Sequence, residues 1–243
     1  MYLYQQDFIL PKNPKAKLWR FMDLYKFIAM LETSSLYFTR ADNFKDPFEG
    51  TFPEYNSKQR AKHYYNYDAS EAMFENRNIL FDRTRKHTVI NCWHLNQFES
   101  AAMWELYSNR LAGIAIETTV FNFKECFRPA LEEILIGKVK YLDFKRQWMS
   151  EHHFGQLYLH KRKGFKHENE VRAFITHDLN QINKNEVAEF EKGINVKVDL
   201  NTLIRNIYLH PDTSESFIDI LKGLMKKYNI TKPVLKSKLY DLV

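Results

Sequence analysis

Glycine is scarce in this chain. The 243 residues contain only seven glycines, at positions 50, 113, 137, 155, 164, 193 and 223. No two of them have the spacing that a GxGxxG turn or a P-loop requires, which argues against a Rossmann dinucleotide site and a Walker-type NTPase. The HExxH, GxSxG and protein-kinase motifs are also absent. The sequence therefore lacks the signatures of zinc proteases, α/β-hydrolases and kinases.

Cysteine and long apolar runs are scarce as well. Cys92 and Cys126 are far apart and form no CxxC motif, and the nine histidines do not pair with them at zinc-finger spacing. No stretch approaches the roughly 20 apolar residues that cross a bilayer, and the first residues lack the features of a secretory leader. We therefore expect a soluble, cytoplasmic protein with no membrane partner and no bound metal.

The chain does contain ample material for a hydrophobic core, with 44% hydrophobic and 15% aromatic residues. Single domains often reach this length, and no linker, repeat or low-complexity tract interrupts the sequence. We predict one domain over residues 1–243. Lysine and arginine number 36 against 30 acids, a net charge of +6, which is compatible with phosphate-bearing partners but modest for a dedicated nucleic-acid binder.

Strand-like and helix-like periodicities alternate irregularly along the chain. This pattern predicts an α+β domain with a mixed, mostly antiparallel sheet and flanking helices. The predicted strands are 18–21, 36–39, 88–93, 113–118, 136–141, 168–175, 194–198, 207–210 and 234–239. The predicted helices begin at 23, 57, 100, 123, 150 and 212, and those at 123 and 150 are expected to reach 135 and 163. The segment 57–77 is predicted as one long helix or a pair of helices.

The most informative segment is 168–175, which has the sequence ENEVRAFI. Side chains of an extended strand alternate between its two faces, so Glu168, Glu170 and Arg172 are expected to share one face. Two acids and one cation would then lie together on a strand that is otherwise apolar. Such a group is either a structural ion pair or the acidic part of a catalytic site, and the residues alone leave both interpretations open.

Five motifs occur in a fixed order along most of the chain: LYFTRADNFKDPFEG at 36–50, NCWH at 91–94, MWELY at 103–107, GIAI at 113–116 and ENEVR at 168–172. As an ordered set they resemble a large bacterial domain-of-unknown-function family. No settled biochemical activity accompanies that resemblance.

A second resemblance implies a chemistry. The sequence LWRF at 18–21, followed by a helix and by SLYFTRADN at 35–43, resembles the start of ADP-ribosyltransferase-type domains, some of which modify nucleic acid. In that fold an early strand supplies an Arg or His that holds the nicotinamide dinucleotide NAD, and a late Glu-x-Glu strand supplies the catalytic acid. The resemblance implies these roles for Arg20 and Glu170, with Glu168 as the acid two residues before.

The implied reaction explains why two acids would be needed. Breaking the nicotinamide bond builds positive charge on the ribose, and the Glu170 carboxylate would stabilise that charge where it develops. Glu168 would orient or deprotonate the acceptor. The sequence departs from the family at 91–93, where NCW replaces the Ser-Thr-Ser run of its middle strand.

Other residues would hold the dinucleotide. Arg20, Arg172 and the basic run 161–163 are the candidates for binding its diphosphate, for which a guanidinium group is well suited. The aromatic rings of Trp93, Trp104 and Tyr107 are the candidates for stacking on a base or on the nicotinamide.

Three functions remain open from the sequence. The first is an ADP-ribosyltransferase-like enzyme that uses NAD to modify a nucleic-acid or protein acceptor, in a bacterial defence or conflict system. The second is a metal-dependent nuclease, in which the DFK step at 143–145 or the acids Asp42, Asp46 and Glu49 would hold magnesium. The third is a non-enzymatic module whose basic surface binds nucleic acid.

Overall fold

The computed structural model describes residues 1–3, 6, 8–64 and 79–242. Its main sheet is mixed and mostly antiparallel, and helices flank it, which confirms the predicted fold class. The strands of this sheet are β1 (Tyr2–Leu3), β2 (Lys17–Asp23), β3 (Ser35–Arg40), β4 (Thr88–Leu95), β5 (Gly113–Thr119), β6 (Ile134–Lys138), β9 (Glu170–Thr176), β10 (Gly193–Lys197), β11 (Asn206–Leu209) and β12 (Val234–Lys236). Two further strands, β7 (Lys140–Leu142) and β8 (His160–Arg162), pair with each other in parallel.

The strand order of the main sheet is β1-β6-β9-β4-β2-β5-β11-β12, and β3 pairs with both β4 and β10. Only the β1–β6 and β11–β12 pairs of this sheet are parallel. The helices are α1 (Leu24–Thr33), α2 (Glu54–His63), α3 (Ala101–Tyr107), α4 (Val120–Glu125), α5 (Leu179–Asn183), α6 (Leu200–Leu203) and α7 (Glu215–Lys227). Short 3-10 turns occupy Ala41–Asn43, Arg85–His87, Phe154–Leu159 and Lys163–Glu168. In the main sheet β9 is an interior strand, because it pairs with β6 on one side and with β4 on the other.

The two faces of the sheet are covered by different elements. The larger core lies on the face that carries Trp93 and Val171, and the buried sides of α1, α4 and α7 pack there. On the other face, the turn Phe154–Leu159 packs over β9, and α3 packs over β2 and β5. Leu221 and Met225, four positions apart on the inward side of α7, are fully covered, as the spacing of an amphipathic helix requires.

Several predicted elements differ from the observed ones. The strand predicted at 168–175 begins at Glu170, because Asn169 adopts a left-handed conformation with φ 38° and ends the preceding 3-10 turn. The helix predicted at 150–163 is instead the turn Phe154–Leu159 followed by β8. The residues from Gly155 to Lys161 are all buried, and a one-sided helix cannot bury seven residues in succession.

Two other predicted helices are shorter than expected. The helix predicted at 123–135 is α4, which ends at Glu125 and is followed by Pro129 and by β6, consistent with the inability of proline to continue a helix. The helix predicted at 57–77 is described up to His63 as α2. The rest of that prediction, from residue 65 onward, lies outside the described residues.

Candidate functional site

The centre of the sheet brings four polar side chains to one face. In the antiparallel β4–β9 pair, Cys92 lies opposite Arg172 and His94 lies opposite Glu170. Directly opposed residues of an antiparallel pair project to the same side of a sheet. The shared face of Glu170 and Arg172, inferred from alternation in the sequence, is therefore present in the structure.

Five charged residues form one ion-paired group on this face, which we call the carboxylate cluster. Lys161 Nζ donates to Glu170 Oε1 at 3.0 Å and also to Glu168 Oε2. Arg172 Nε donates to Glu170 Oε2 at 2.8 Å. The guanidinium of Arg172 also binds both carboxylate oxygens of Glu49, at 2.5 and 3.0 Å. Three acids thus face two cations, so the cluster carries one negative charge when every member is ionised.

All five members are buried. Their exposed fractions are 1% for Glu49, 7% for Lys161, 7% for Glu168, 4% for Glu170 and 0% for Arg172. Ion pairs in such surroundings lose much solvation energy and remain stable only when their hydrogen bonds are satisfied. Removing either cation from this group would leave uncompensated negative charge inside the protein.

The pKa values of the two neighbouring acids are shifted in opposite directions. Burial raises the pKa of Glu168 to about 7. The hydrogen bond that protonated Glu168 donates to Glu170, and repulsion by the Glu170 charge, add to that rise. Burial also opposes ionisation of Glu170, but the positive charges of Arg172 and Lys161 outweigh it and hold the pKa of Glu170 well below its usual range. Near neutral pH, Glu170 is ionised while Glu168 lies close to its midpoint.

Glu168 is the member of the cluster that contacts an exposed side chain. The hydroxyl of Tyr107 donates to Glu168 Oε1 at 3.0 Å, and the side chain of Tyr107 is 46% exposed. Cys92, beside Glu170 on the same face, is also partly accessible. Burial raises the pKa of both the Tyr107 hydroxyl and the Cys92 thiol, so both stay protonated near neutral pH. The edge of the cluster is thus lined by two neutral donors.

The two acids also differ in their free hydrogen-bonding capacity. A carboxylate offers about four acceptor positions. Those of Glu170 are taken by Lys161 and by two nitrogens of Arg172, and protonated Glu168 and the thiol of Cys92 also hydrogen-bond to it. Glu168 accepts from Tyr107 and Lys161. Glu168 therefore retains capacity to contact a bound molecule, whereas Glu170 is saturated by the protein.

His94 adds an acceptor to this face. Its Nδ1 lies 2.6 Å from the backbone oxygen of Glu168, and burial lowers its pKa, so the ring is neutral near pH 7. Since a carbonyl can only accept, Nδ1 carries the ring proton and Nε2 is left with a lone pair. Nε2 is buried and has no hydrogen-bond partner within the described part of the chain.

The structure separates Arg20 and Trp93 from the acids. Trp19 lies opposite His94 in the β2–β4 pair, so Trp19 shares the face of Glu170 and its neighbour Arg20 projects to the other face. There the guanidinium of Arg20 lies 6.0 Å from the ring centre of Trp93 and donates to the backbone oxygen of Cys92 at 2.8 Å. Of the residues selected from the sequence, Glu168, Glu170, Arg172 and Tyr107 meet, whereas Arg20 and Trp93 meet each other elsewhere.

The basic run 161–163 does not act as one surface. Lys161 is buried in the cluster, whereas Arg162 binds Asp46 through Nη2 at 2.7 Å. Lys163 is exposed. Lys161 and Glu49 are the functional candidates that sequence reasoning did not place with Glu168 and Glu170. The alternation of β8 could have indicated that Lys161 and Arg162 point to opposite sides.

The loop between β3 and α2 supplies acids, but each of them binds an arginine. Asp42 binds Arg40 at 2.6 Å, Asp46 binds Arg162, and Glu49 binds Arg172. The Asp143 carboxylate accepts from the backbone N–H of Lys145 at 3.0 Å, as in a turn. Across residues 1–3, 6, 8–64 and 79–242, no group of three or more His, Cys, Asp or Glu is placed to hold a metal ion. These contacts give the nuclease hypothesis no support.

Comparison with known proteins leaves the site to be interpreted from its geometry. No model of a known protein family matches the sequence, and no curated protein matches it. The two family resemblances noted in the sequence therefore stay predictions. Among the described helices, none has the length and apolar character needed to cross a membrane.

Proposed function

We propose that the carboxylate cluster is the active site of an ADP-ribosyltransferase-like enzyme, which transfers the ADP-ribosyl group of NAD to a nucleic-acid or protein acceptor. The observation that carries this proposal is the pair Glu168 and Glu170, which share Lys161 but have separated pKa values, about 7 for Glu168 and well below the usual range for Glu170. Separated pKa values in adjacent acids are typical of sites that combine charge stabilisation with proton transfer.

In this reaction the acceptor forms a bond to the anomeric carbon of the ribose while the bond to nicotinamide breaks. The bonding electrons leave with nicotinamide, which becomes neutral, and the acceptor loses a proton. Glu168, with a pKa of about 7, is suited to accept that proton at physiological pH. It also has free acceptor positions beside Tyr107, so we assign it as the catalytic residue.

Glu170 is assigned as a positioning residue. Its bonds to Lys161 and Arg172 fix the lysine that also binds Glu168. Its negative charge lies on the face where positive charge would develop on the ribose. The sequence prediction made Glu170 the catalytic acid and Glu168 the second acid. We reverse these roles, because Glu170 has no acceptor position left for the ribose hydroxyl. Arg20 and Trp93 are on the other face and are not assigned to the dinucleotide.

The test is release of nicotinamide from NAD by the purified protein, with mixed nucleic-acid and protein acceptors present. We expect Glu168→Gln to abolish release, since the amide cannot accept a proton, while the folded fraction stays high. The matched control is Glu151→Gln. Glu151 is also buried and binds a cation, Arg60, at 2.9 Å, but it lies outside the cluster.

The control separates chemistry from folding. We expect Glu151→Gln to lower the melting temperature and to retain nicotinamide release per folded molecule. For Glu170→Gln, we expect reduced release together with a shift of the pH midpoint that Glu168 sets. Absence of release by the wild-type protein, or equal loss of release in the Glu168 and Glu151 variants, would count against the proposal and favour a structural role for the cluster.

A further inference from the structure

A cleft lies on the other side of β9 from β4, where β6 and β7 meet the turn that precedes β9. Its volume is about 640 Å³, within the range of roughly 300–1,000 Å³ in which proteins bind small molecules. Its lining residues are Ile9, Lys138, Val139, Lys140, Tyr141, Lys166 and Asn169. We call it the lysine cleft.

The charge of the lysine cleft is of one sign. Lys138, Lys140 and Lys166 line it, and no acid does. Among residues 1–3, 6, 8–64 and 79–242, none of these three lysines forms an ion pair with a side chain. The positive charge also acts on its surroundings, since Lys140 contributes to the lowered pKa of His160, after the larger effect of burial. Three unpaired ammonium groups around one cavity attract a multiply charged anion.

The lysine cleft is connected to the carboxylate cluster through the backbone of Glu170. The hydroxyl of Tyr141 accepts from the Glu170 N–H at 2.9 Å, and the Val139 N–H donates to the Glu170 carbonyl at 2.9 Å. Asn169, which lines the cleft, lies between the two acids in sequence. A molecule in the cleft would thus contact residues that hold Glu170 in place.

We propose that the lysine cleft binds the diphosphate of a nucleotide. The three lysines supply charge-assisted hydrogen bonds to phosphate oxygens, and the ring of Tyr141 offers a face for a base. A volume of about 640 Å³ is large enough for one nucleotide. The inference extends the proposed function by placing the diphosphate, which Arg20 and Arg172 cannot hold, but binding in the cleft does not require that the cluster be catalytic.

The experiment measures binding of ADP, inorganic pyrophosphate and a short oligothymidine by calorimetry at low and high salt. The test protein is the triple variant Lys138→Gln, Lys140→Gln and Lys166→Gln. The matched control is Lys222→Gln, Lys226→Gln and Lys227→Gln, which removes the same charge from exposed positions on α7. We expect ADP affinity to fall about tenfold or more in the cleft variant, and to stay within about twofold of wild type in the control.

The outcomes separate the two proposals. Equal weakening in both triple variants would mean that overall charge binds the anion, and would overturn the cleft assignment. Failure of the wild-type protein to bind ADP, or binding of the oligonucleotide alone, would also overturn it. ADP binding that depends on the cleft lysines, together with no release of nicotinamide from NAD, would support the cleft and refute the proposed enzymatic function.

Discussion

Replacing Lys161 with methionine tests the energetic role of the carboxylate cluster. Lys161 is 7% exposed, and its Nζ lies 3.0 Å from Glu170 Oε1 while also binding Glu168. Two unit charges at that distance attract by about 5.5 kcal/mol in an effective dielectric of about 20. Mutational removal of one partner of a buried pair costs about 3–5 kcal/mol. In a chain of this size such a loss lowers the melting temperature by about 10 °C.

The assay is thermal and urea unfolding at pH 7.5, with Lys86→Met as the matched control. Lys86 binds Glu189, but both side chains are 50% exposed, so that variant should lose only about 0–1 kcal/mol. Adding Glu168→Gln to Lys161→Met should recover part of the loss, because it removes one unpaired charge. The loss should also shrink at pH 5.5, where Glu168 is protonated. Equal losses in the two lysine variants, with no recovery in the double variant, would refute the reasoning.

Three further predictions concern stability. The folded-state pKa of Glu168, about 7, lies above its usual 4.5. The stabilisation that Glu168 contributes is therefore complete below about pH 4.5 and is lost as pH rises through about 7. Glu168→Gln should remove that decline from melting temperatures measured across this range. The folded-state pKa of His160 is lowered by burial from 6.5 to about 4. The stabilisation that neutral His160 contributes is therefore present above pH 6.5 and is lost as pH falls toward 4. His160→Gln should reduce the fall of the melting temperature between these two pH values. Gly50→Ala should cost about 1–3 kcal/mol in urea unfolding, because Gly50 has φ +69° and an added Cβ would lie 2.9 Å from the Tyr158 ring. The control Gly223→Ala lies in α7 with open space around it, so it should increase stability by about 0.5–1 kcal/mol. Equal effects of the two substitutions would contradict the strain assigned to position 50.

Local patterns in the sequence predicted much of the fold. Alternation placed Glu170 and Arg172 on one face, and the β4–β9 register agrees. The spacing of apolar residues predicted the buried side of α7, whereas in α1 the same spacing placed Ile28 on the buried side, and the structure exposes Ile28 and buries Met30 instead. Both inferences depend on neighbours within one element, where the period of the backbone fixes the direction of each side chain.

The parts that were missed depend on contacts between distant segments. Arg20 was grouped with Glu170, but the pairing of Trp19 with His94 turns Arg20 to the opposite face. Lys161 was assigned to a helix end, since nothing in the sequence shows that the segment is covered on all sides. Glu49 reaches Arg172 across 123 positions. Register and burial of this kind are set by tertiary packing. The periodicity of a single strand or helix carries no information about such contacts.

The connectivity of the sheet has a kinetic consequence. Its central strand β9 pairs with β4, which lies some eighty positions earlier, as the 74-residue separation of His94 and Glu168 illustrates. Contacts between such remote segments must overcome the entropy of closing a long loop, and chains dominated by them reach the native state in milliseconds to seconds rather than microseconds. On the ribosome, β4 must wait for β9 to be synthesised before it gains this neighbour. Until then the backbone N–H and C=O groups of β4 that pair with β9 in the native sheet are available to chaperones and to other nascent chains.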